Sequence, residues 1–442
     1  MLKTFSIGGI HPPDQKLSAH KSIELLPPPQ RVSVPIVQHI GAPAKPEVKK
    51  GDLVKTGQRI ASSGGFVSAN IHAPVSGKVF KVDEVTDASG YRKPAIIIDV
   101  DGDEWDESID RSETLREEIT ISADEIVKKA GEMGIVGMGG ATFPSHVKLS
   151  PPPGKQCEVL IINGVECEPY LTGDHRIMLE KGKELVVGIR ILMKALKTDR
   201  AIIGIENNKP DAIEHLQKLT AKDQGIEVQP LKVKYPQGGE KQLINALTGR
   251  QVPSGKLPIE VGAVVHNVGT TYAVYEAIQK NKPLVERVVT VTGPGVTKPS
   301  NFMVRIGTPV KHLIEAAGGL PDNTGKIVGG GPMMGKALTS TEIPITKGSS
   351  GVLLLPNEMA HRAPVENCIR CGKCISICPM GLEPYLLMIE TEKELWDRAE
   401  EDNIMDCIEC GSCSFTCPAH RPLLDYIRLG KGNVGQIIRN RK

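Results

Sequence analysis

A chain of 442 residues is too long for one ordinary core and implies about three domains. A formal charge of +2, with only two Trp, seven Tyr and six Phe, removes the basic surface and the stacking platforms that nucleic-acid binders use. No apolar run approaches the length of a membrane-spanning helix, and the opening "MLKTFSIGGIHPPDQ" lacks the apolar stretch and cleavage site of a signal peptide. The expectation is a cytoplasmic chain whose membrane association, if it has one, is supplied by a partner.

Residues 1–30 read as an N-terminal extension. Residues 31–110 contain "VKKGDLVKTGQRIASSGGFVSANIHAPVSGKV", short β runs separated by Gly-Asp, Thr-Gly and Ser-Gly turns, the pattern of a small sandwich. The stretch resembles a biotinyl or lipoyl domain. Such domains present a modifiable lysine on a hairpin tip, and between Ser62 and Ala73 this chain has none. A docking scaffold is expected, not a swinging arm.

Residues 118–285 alternate in the α/β manner. "ISADEIVKKAGEMG" opens with a capping box, Ser122 to Glu125, and predicts a helix to about Gly131. "EVLIING" reads as a buried strand, "RIMLEKGKELVVGIRILMKAL" as one long helix, "AIIGIE" as a strand, "KPDAIEHLQKL" as a helix and "IEVQPLKVKY" as a strand. This order predicts a mainly parallel sheet covered by helices, with ligands beyond the carboxyl ends of the strands. Four stretches fall there. "GIVGMGGATFPSHVK" carries Gly137, Gly139 and Gly140, which allow positive φ and close backbone approach to a ligand and whose free amides suit a phosphate. A tight turn explains the same glycines. "NGVECEPY" puts Asn163, Glu166 and Glu168 at a strand end, as ligands for hydroxyls or simply as a solvated loop. "YPQGGEKQL" starts a helix at Glu240, where a carboxylate also favours the helix dipole. "HNVGTTYAV" sets Asn267 and Thr270 between an apolar run and a helix.

Residues 286–340 predict two strands and then a helix from about Pro309. Next come "CIRCGKCISICP" and "CIECGSCSFTCP" within residues 360–430, each C-x2-C-x2-C-x3-C-P, the bacterial ferredoxin pattern for a 4Fe–4S cluster. In two-cluster proteins the fourth cysteine serves the other cluster. One set is then Cys368, Cys371, Cys374 and Cys417; the other is Cys407, Cys410, Cys413 and Cys378. Zinc sites have no use for the third cysteine or the proline, and disulfides belong to secreted chains. The 28 residues between Cys378 and Cys407 read helical, with Leu386, Ile389 and Leu395 as the apolar positions, so a helical two-cluster module is expected. Cys157 and Cys167 read as ordinary buried thiols. Residues 431–442 form a basic tail that is expected to be solvated.

The four strand-end stretches occur in the order and style of the flavin- and NADH-binding subunit of respiratory complex I. With the ferredoxin repeats, the opening "GGIHPP" and "GGGPMMG", essentially residues 1–430 resemble the C-subunit family of Rnf (also called Rsx) complexes, membrane-bound ferredoxin–NAD oxidoreductases. The resemblance implies noncovalent FMN beside Gly137, Gly139, Gly140 and Lys148. It implies FMN or nicotinamide contacts for Asn163, Glu166 and Glu168, an adenine-stacking role for Phe143, a dinucleotide-side carboxylate at Glu240, and flavin-phosphate contacts at Asn267 and Thr270. Residues 286–340 resemble the β-grasp module that follows the flavin domain in complex I. The chain departs from complex I at Met138 (arginine there), Thr142 (glycine), Val165 (aspartate) and Gly239 (acidic).

The expected fold is therefore multidomain α/β plus β: a biotinyl-like β sandwich, a Rossmann-like α/β flavin domain, a β-grasp module and a helical two-cluster ferredoxin domain. The resemblance implies NAD(H) as substrate, FMN and two 4Fe–4S clusters as cofactors, and partners that include a ferredoxin-like iron–sulfur subunit and integral membrane subunits. The location it implies is peripheral, on the cytoplasmic face of the inner membrane. NADH gives two electrons as hydride and a cubane takes one, so a flavin must stand between them. A rival reading keeps the iron–sulfur relay and makes the α/β domain a flavin-free docking scaffold.

Overall fold

The computed structural model describes residues 2–441. Its α/β domain is a four-stranded parallel sheet in the spatial order Ile226–Leu231, Ala201–Glu206, Val159–Asn163, Ala263–Asn267. Helices cover both faces, which is why "VLIIN" and "AIIGIE" are continuously apolar and do not alternate. Leu160 and Ile162 pack with Leu185, Ile189 and Val274 of the helices Gly182–Leu196 and Val268–Lys280. Val159 and Ile161 face Leu243, Ile244 and Leu247 of the helix Glu240–Thr248. The capping box at Ser122 forms and opens the helix Ala123–Glu132.

Two expectations in this domain need correction. The long helix is broken at Lys181 into Gly173–Glu180 and Gly182–Leu196. Each half has its own partner: Ile177 of the first packs on Val288 and Met303 of the next domain, whereas the second lies on the parallel sheet. The strand read through Tyr235 ends at Leu231, because the chain then turns toward the cysteine-rich module.

The sandwich has a four-stranded sheet (Arg31–Pro35, Arg92–Val100, Gly77–Thr86, Leu53–Val54) and a three-stranded one (Lys45–Pro46, Arg59–Ser62, Ile71–His72). Register sets Val32 beside Ile98 and Val34 beside Ile96, so all four point into one core. The following sheet has the strands Glu286–Thr292 and Ser300–Arg305 and a helix, Val310–Ala316, preceded by Pro309. It runs beyond residue 340: Gly351–Pro356 lies at its centre, between Glu286–Thr292 and Thr324–Gly329.

Residues 1–30 are not a free extension. Lys3 bridges to Leu231, Ile10 to Tyr235, and Ile23–Leu25 adds an edge strand parallel to Ser300–Arg305. Lys347, fully buried without a carboxylate partner, bonds the Asn70 carbonyl of the sandwich and the Gly134 carbonyl of the α/β domain (2.8 and 2.7 Å). Burial lowers its ammonium pKa to about 7. The sandwich is thereby fixed to the α/β domain by hydrogen bonds that no solvent reaches.

The cysteine-rich module is helical: Lys373–Ser376, Pro384–Glu392, Trp396–Glu401, Ser412–Thr416 and Leu423–Asn440. Its core uses Leu387, Ala399, Ile404, Ile427 and Val434. Of the apolar positions expected to matter, Ile389 and Leu395 are exposed and Leu386 is half-buried; Leu387 and Met388 turn inward instead. The basic tail, expected to be solvated, is packed over part of its length. It continues the helix Leu423–Asn440, and Val434 is 1% exposed beside Cys378 and Leu387. Val434→Asp should therefore cost this module at least about 3 kcal/mol, the scale of a buried unpaired charge. Iron content and the broad visible absorbance of the purified variant should collapse, whereas a loose tail would leave both at wild-type levels.

Candidate functional site

The order of the parallel sheet reverses between Val159–Asn163 and Ala263–Asn267, and at such a point a crevice opens beyond the carboxyl ends. Asn163 and Asn267 end those two strands in register with each other. Asn267 Oδ1 accepts from the Gly269 and Thr270 amides and caps the helix Val268–Lys280, while its Nδ2 donates to Asp174 at 2.6 Å. Thr270 Oγ1 accepts from the Met138 amide at 2.8 Å. Asn163 Nδ2 donates to the Gly238 carbonyl at 2.9 Å, and Lys148 Nζ binds Glu240 at 2.7 Å and the Val265 carbonyl at 3.1 Å. Glu240 opens its helix as expected. The four stretches, remote in sequence, are thus one hydrogen-bonded ring around the crevice.

The glycine loop works differently from expectation. Gly137, Gly139 and Gly140 do not use positive φ; Thr142 does (54°). Glycine is needed at 139 for close approach, since a Cβ there would stand 2.8–2.9 Å from the Asn267 side chain. At Gly140 a Cβ would meet open space. Both residues are exposed, and among the described residues their amides have no acceptor. Free amides on an open, side-chain-free loop fit a flavin or its phosphate. Phe143, half-buried, leads from this loop into the short helix Ser145–Lys148.

The acidic loop is held from behind. Lys16 Nζ donates to the carbonyls of Glu166, Glu168 and Leu171 at 2.7–2.9 Å, and buried Lys209 donates to that of Val165 at 2.8 Å. Burial, with Lys209 adding repulsion, lowers the Lys16 pKa to about 8. The Glu166 carboxylate caps the helix Gly173–Glu180 by accepting from Asp174 and His175 amides. Glu168 turns to the "GGGPMMG" loop and accepts from the Met333 and Met334 amides (3.1 and 2.8 Å); burial raises its pKa to about 7. Asp174 is also raised to about 7, by burial and then by Glu166. Both carboxylates are thus already engaged by the fold, at the positions expected to face FMN or nicotinamide.

The structure brings four of the eight motif cysteines around one pocket. Cys378 lies with Cys407, Cys410 and Cys413 around this pocket, otherwise lined by apolar side chains such as Leu382, Leu387 and Ile427. Burial raises the Cys407 thiol to about 11 and that of Cys413 to about 12. Cys374 packs with Cys417 against Met388 and Leu423. The exposed segment bearing Cys368 and Cys371 is brought alongside by the bond from the Glu366 amide to the Ala419 carbonyl, 3.0 Å. Among the described residues no three His, Cys, Asp or Glu side chains converge on a single ion. A cube of four irons and four sulfides instead needs thiols spread around a void, and the lined cavity fits one.

Sequence reasoning missed the residues that join the two sites. Tyr235 Oη donates to the Cys410 carbonyl at 2.8 Å, Gln242 Nε2 to that of Pro379 at 3.2 Å, and the Gly9 amide to that of Ile377 at 2.8 Å. Cys167 packs at the same seam and its sulfur accepts from the Gly238 amide at 3.4 Å. Cys157 is buried and raised to about 11 by that burial. Tyr235 and Gln242 both lie within "YPQGGEKQL", so the one available signal was a motif already in view.

Comparison with known proteins adds four family matches: the RnfC barrel sandwich hybrid domain over residues 3–103, the Nuo51 FMN-binding domain over 130–276, the SLBB domain over 288–337 and a 4Fe-4S dicluster domain over 360–418. The chain is 51% identical over 431 residues to the C subunit of the proton-translocating ferredoxin:NAD(+) oxidoreductase complex of Clostridium ljungdahlii, covering 97% of this chain and 93% of that one. It is 47% identical over 429 residues to the C subunit of the Na(+)-translocating complex of Acetobacterium woodii (97% and 96%). It is 43% identical over 441 residues to the C subunit of the ion-translocating oxidoreductase complex of Rhodobacter capsulatus (98% and 84%). Among solved structures, an NAD+-reducing [NiFe]-hydrogenase in its H2-reduced state matches at 18% identity and a TM-score of 0.48, over 66% of this chain and 59% of that one. For the crevice itself, Gly139→Val should displace Asn267 and abolish flavin content while iron stays at the wild-type level. Stoichiometric flavin retained in that variant would move the site elsewhere.

Proposed function

The chain belongs to the family of C subunits of ion-translocating ferredoxin:NAD(+) oxidoreductase complexes, and from that premise we propose how its own residues carry the work. It is the NADH-linked electron-transfer subunit of such a complex, with FMN and two 4Fe–4S clusters as cofactors, and it acts together with the other subunits. Bound FMN supplies the change from two-electron to one-electron transfer, which NADH and an iron–sulfur cluster cannot make directly.

Around it, the Gly139 and Gly140 amides act as donors to the flavin, with Gly137 shaping the loop. Asn267 and Thr270 secure the phosphate end at the head of their helix, where amides and dipole favour an anion. Asn163 would fix the Gly238 turn at the crevice that takes the flavin. Phe143 serves as the adenine platform, and Lys148 and Glu240 as a charged pair at the dinucleotide mouth. Glu166 and Glu168 act through the loop they brace, because their carboxylates are committed to main-chain amides. No side chain has to move a proton for hydride transfer.

The clusters are bound as two crossed sets, Cys378 with Cys407, Cys410 and Cys413, and Cys417 with Cys368, Cys371 and Cys374. The first set would hold the inner cluster, joined to the crevice by the Tyr235–Cys410 contact; the exposure of Cys368 and Cys371 would suit the second to face a partner. The single observation that carries this reading is that the side-chain hydrogen bonds of Tyr235 and Gln242 across the seam end on Cys410 and on Pro379 beside Cys378.

As working domains we take 1–30 with the modules it braces, a biotinyl-like sandwich at 31–110, a Rossmann-like flavin domain at 118–285, a β-grasp unit from 286 that draws in Gly351–Pro356, and a ferredoxin unit at 360–430 completed by 431–442. No described helix is long and apolar enough to cross a membrane, which suits a peripheral subunit. We assign it to the cytoplasmic face.

Rapid mixing with NADH tests the order of transfer. Cys371→Ser should leave the inner cluster reducible by NADH, whereas Cys410→Ser should stop electrons from reaching the outer cluster and still allow NADH to reduce ferricyanide. If the outer cluster of Cys410→Ser bleached at the wild-type rate, the assigned order would be wrong.

A further inference from the structure

Arg287 is the second residue of the strand Glu286–Thr292 and thus lies outside the domain that forms the crevice. It is 6% exposed, and among the described residues its hydrogen-bond partners are carbonyls, with no carboxylate. Its Nε donates to the Val288 carbonyl at 3.2 Å; Nη1 donates to the carbonyls of Lys347 and, at 3.3 Å, Met138. Nη2 has no acceptor among the described residues. The charged group that faces it is Asp174, which is bonded to Asn267; Lys347 meets it through its main-chain carbonyl, and the Lys347 ammonium bonds the Asn70 and Gly134 carbonyls.

A buried guanidinium served by carbonyls alone is costly, so its position calls for a reason. That position is the back of the glycine loop. The Met138 amide is bonded to Thr270 and the Met138 carbonyl to Arg287, so the peptides on both sides of this residue are pinned. In a trans peptide the carbonyl and the next amide point in opposite directions. With the Met138 carbonyl turned inward to Arg287, the Gly139 N–H is turned outward, to the exposed side where it has no protein acceptor.

We propose that Arg287 is a positioning residue for the flavin: from behind the loop it orients and polarises the Met138–Gly139 peptide and supplies the positive field that favours the reduced, anionic flavin. This rests on the assignment of FMN to the glycine loop. The β-grasp module thereby contributes to a site to which it presents no ligand side chain of its own. Met138, an apolar side chain on the loop, leaves that charge to come from Arg287.

The test uses full-length protein stripped of flavin and retitrated with FMN, read by flavin fluorescence quenching, with iron content as the folding control. Arg287→Met should weaken FMN binding about tenfold or more, the factor expected for one hydrogen bond to a charged group. The midpoint potential of the flavin in the reconstituted protein should fall. Arg287→Lys keeps the charge and loses the fork, so its potential should stay nearer wild type while its FMN affinity drops. Wild-type FMN affinity and potential in Arg287→Met with full iron would overturn the proposal. If Arg287→Met did not accumulate, wild-type affinity in Arg287→Lys would overturn it equally. Failure of the unsubstituted protein to bind FMN would instead overturn the flavin assignment itself.

Discussion

Everything in this molecule is arranged around the reversal of strand order between Val159–Asn163 and Ala263–Asn267. Parallel strands need covering crossovers on both faces, and where the winding changes direction the loops part. The two strands end in register on Asn163 and Asn267, so the crevice begins with two amide side chains facing one opening. From there the bonds spread outward: Asn267 to Asp174 and the helix start, Thr270 to Met138, Asn163 to Gly238. A shift of either strand by one residue would replace these amides with apolar neighbours and leave the glycine loop without its two anchors.

The loops around that opening are built with their carbonyls turned away from it. Lys16, Lys209, Arg287 and Lys347 each take main-chain carbonyls of the crevice loops or their immediate flank, and none relies on an exposed ion pair. Among the described residues Lys209 alone of the four lies within ion-pair distance of a carboxylate, Glu206 at 3.8 Å, and that pair is equally buried. Buried cations serving carbonyls leave amides free on the other side, which suits an anionic, electron-rich ligand. They also make the domains interdependent, because Lys16 comes from the N-terminal segment and Arg287 and Lys347 from the sheet after the α/β domain.

The same interdependence governs the route of electrons. The cysteine module is docked on the α/β domain by Tyr235, Gln242 and Gly9, which reach the Cys410 turn and the residues on either side of Cys378. On the proposed ligand sets, the inner one is the set held nearest the crevice. A relay needs that asymmetry: one end fixed against the donor, the other open to a partner.

The 4Fe-4S dicluster domain, the parallel sheet, the capping box at Ser122 and the sandwich without a lysine tip could all be read from the sequence. Each depends on a short spacing or a local period, and local geometry enforces such patterns wherever they fall. The break at Lys181, the docking of residues 431–440 as helix and the central place of Gly351–Pro356 could not, because each is decided by a surface supplied from elsewhere in the chain. The glycine loop shows both sides. Its composition indicated a close approach to a ligand. The reason glycine is required at 139 is the side chain of Asn267, far along the chain, and the charge behind the loop comes from Arg287. Residue type and spacing determined which chemistry this protein carries. Which buried cation stands behind which carbonyl was decided only by tertiary packing, since a carbonyl's partner is chosen by distance in space and leaves no mark in sequence order.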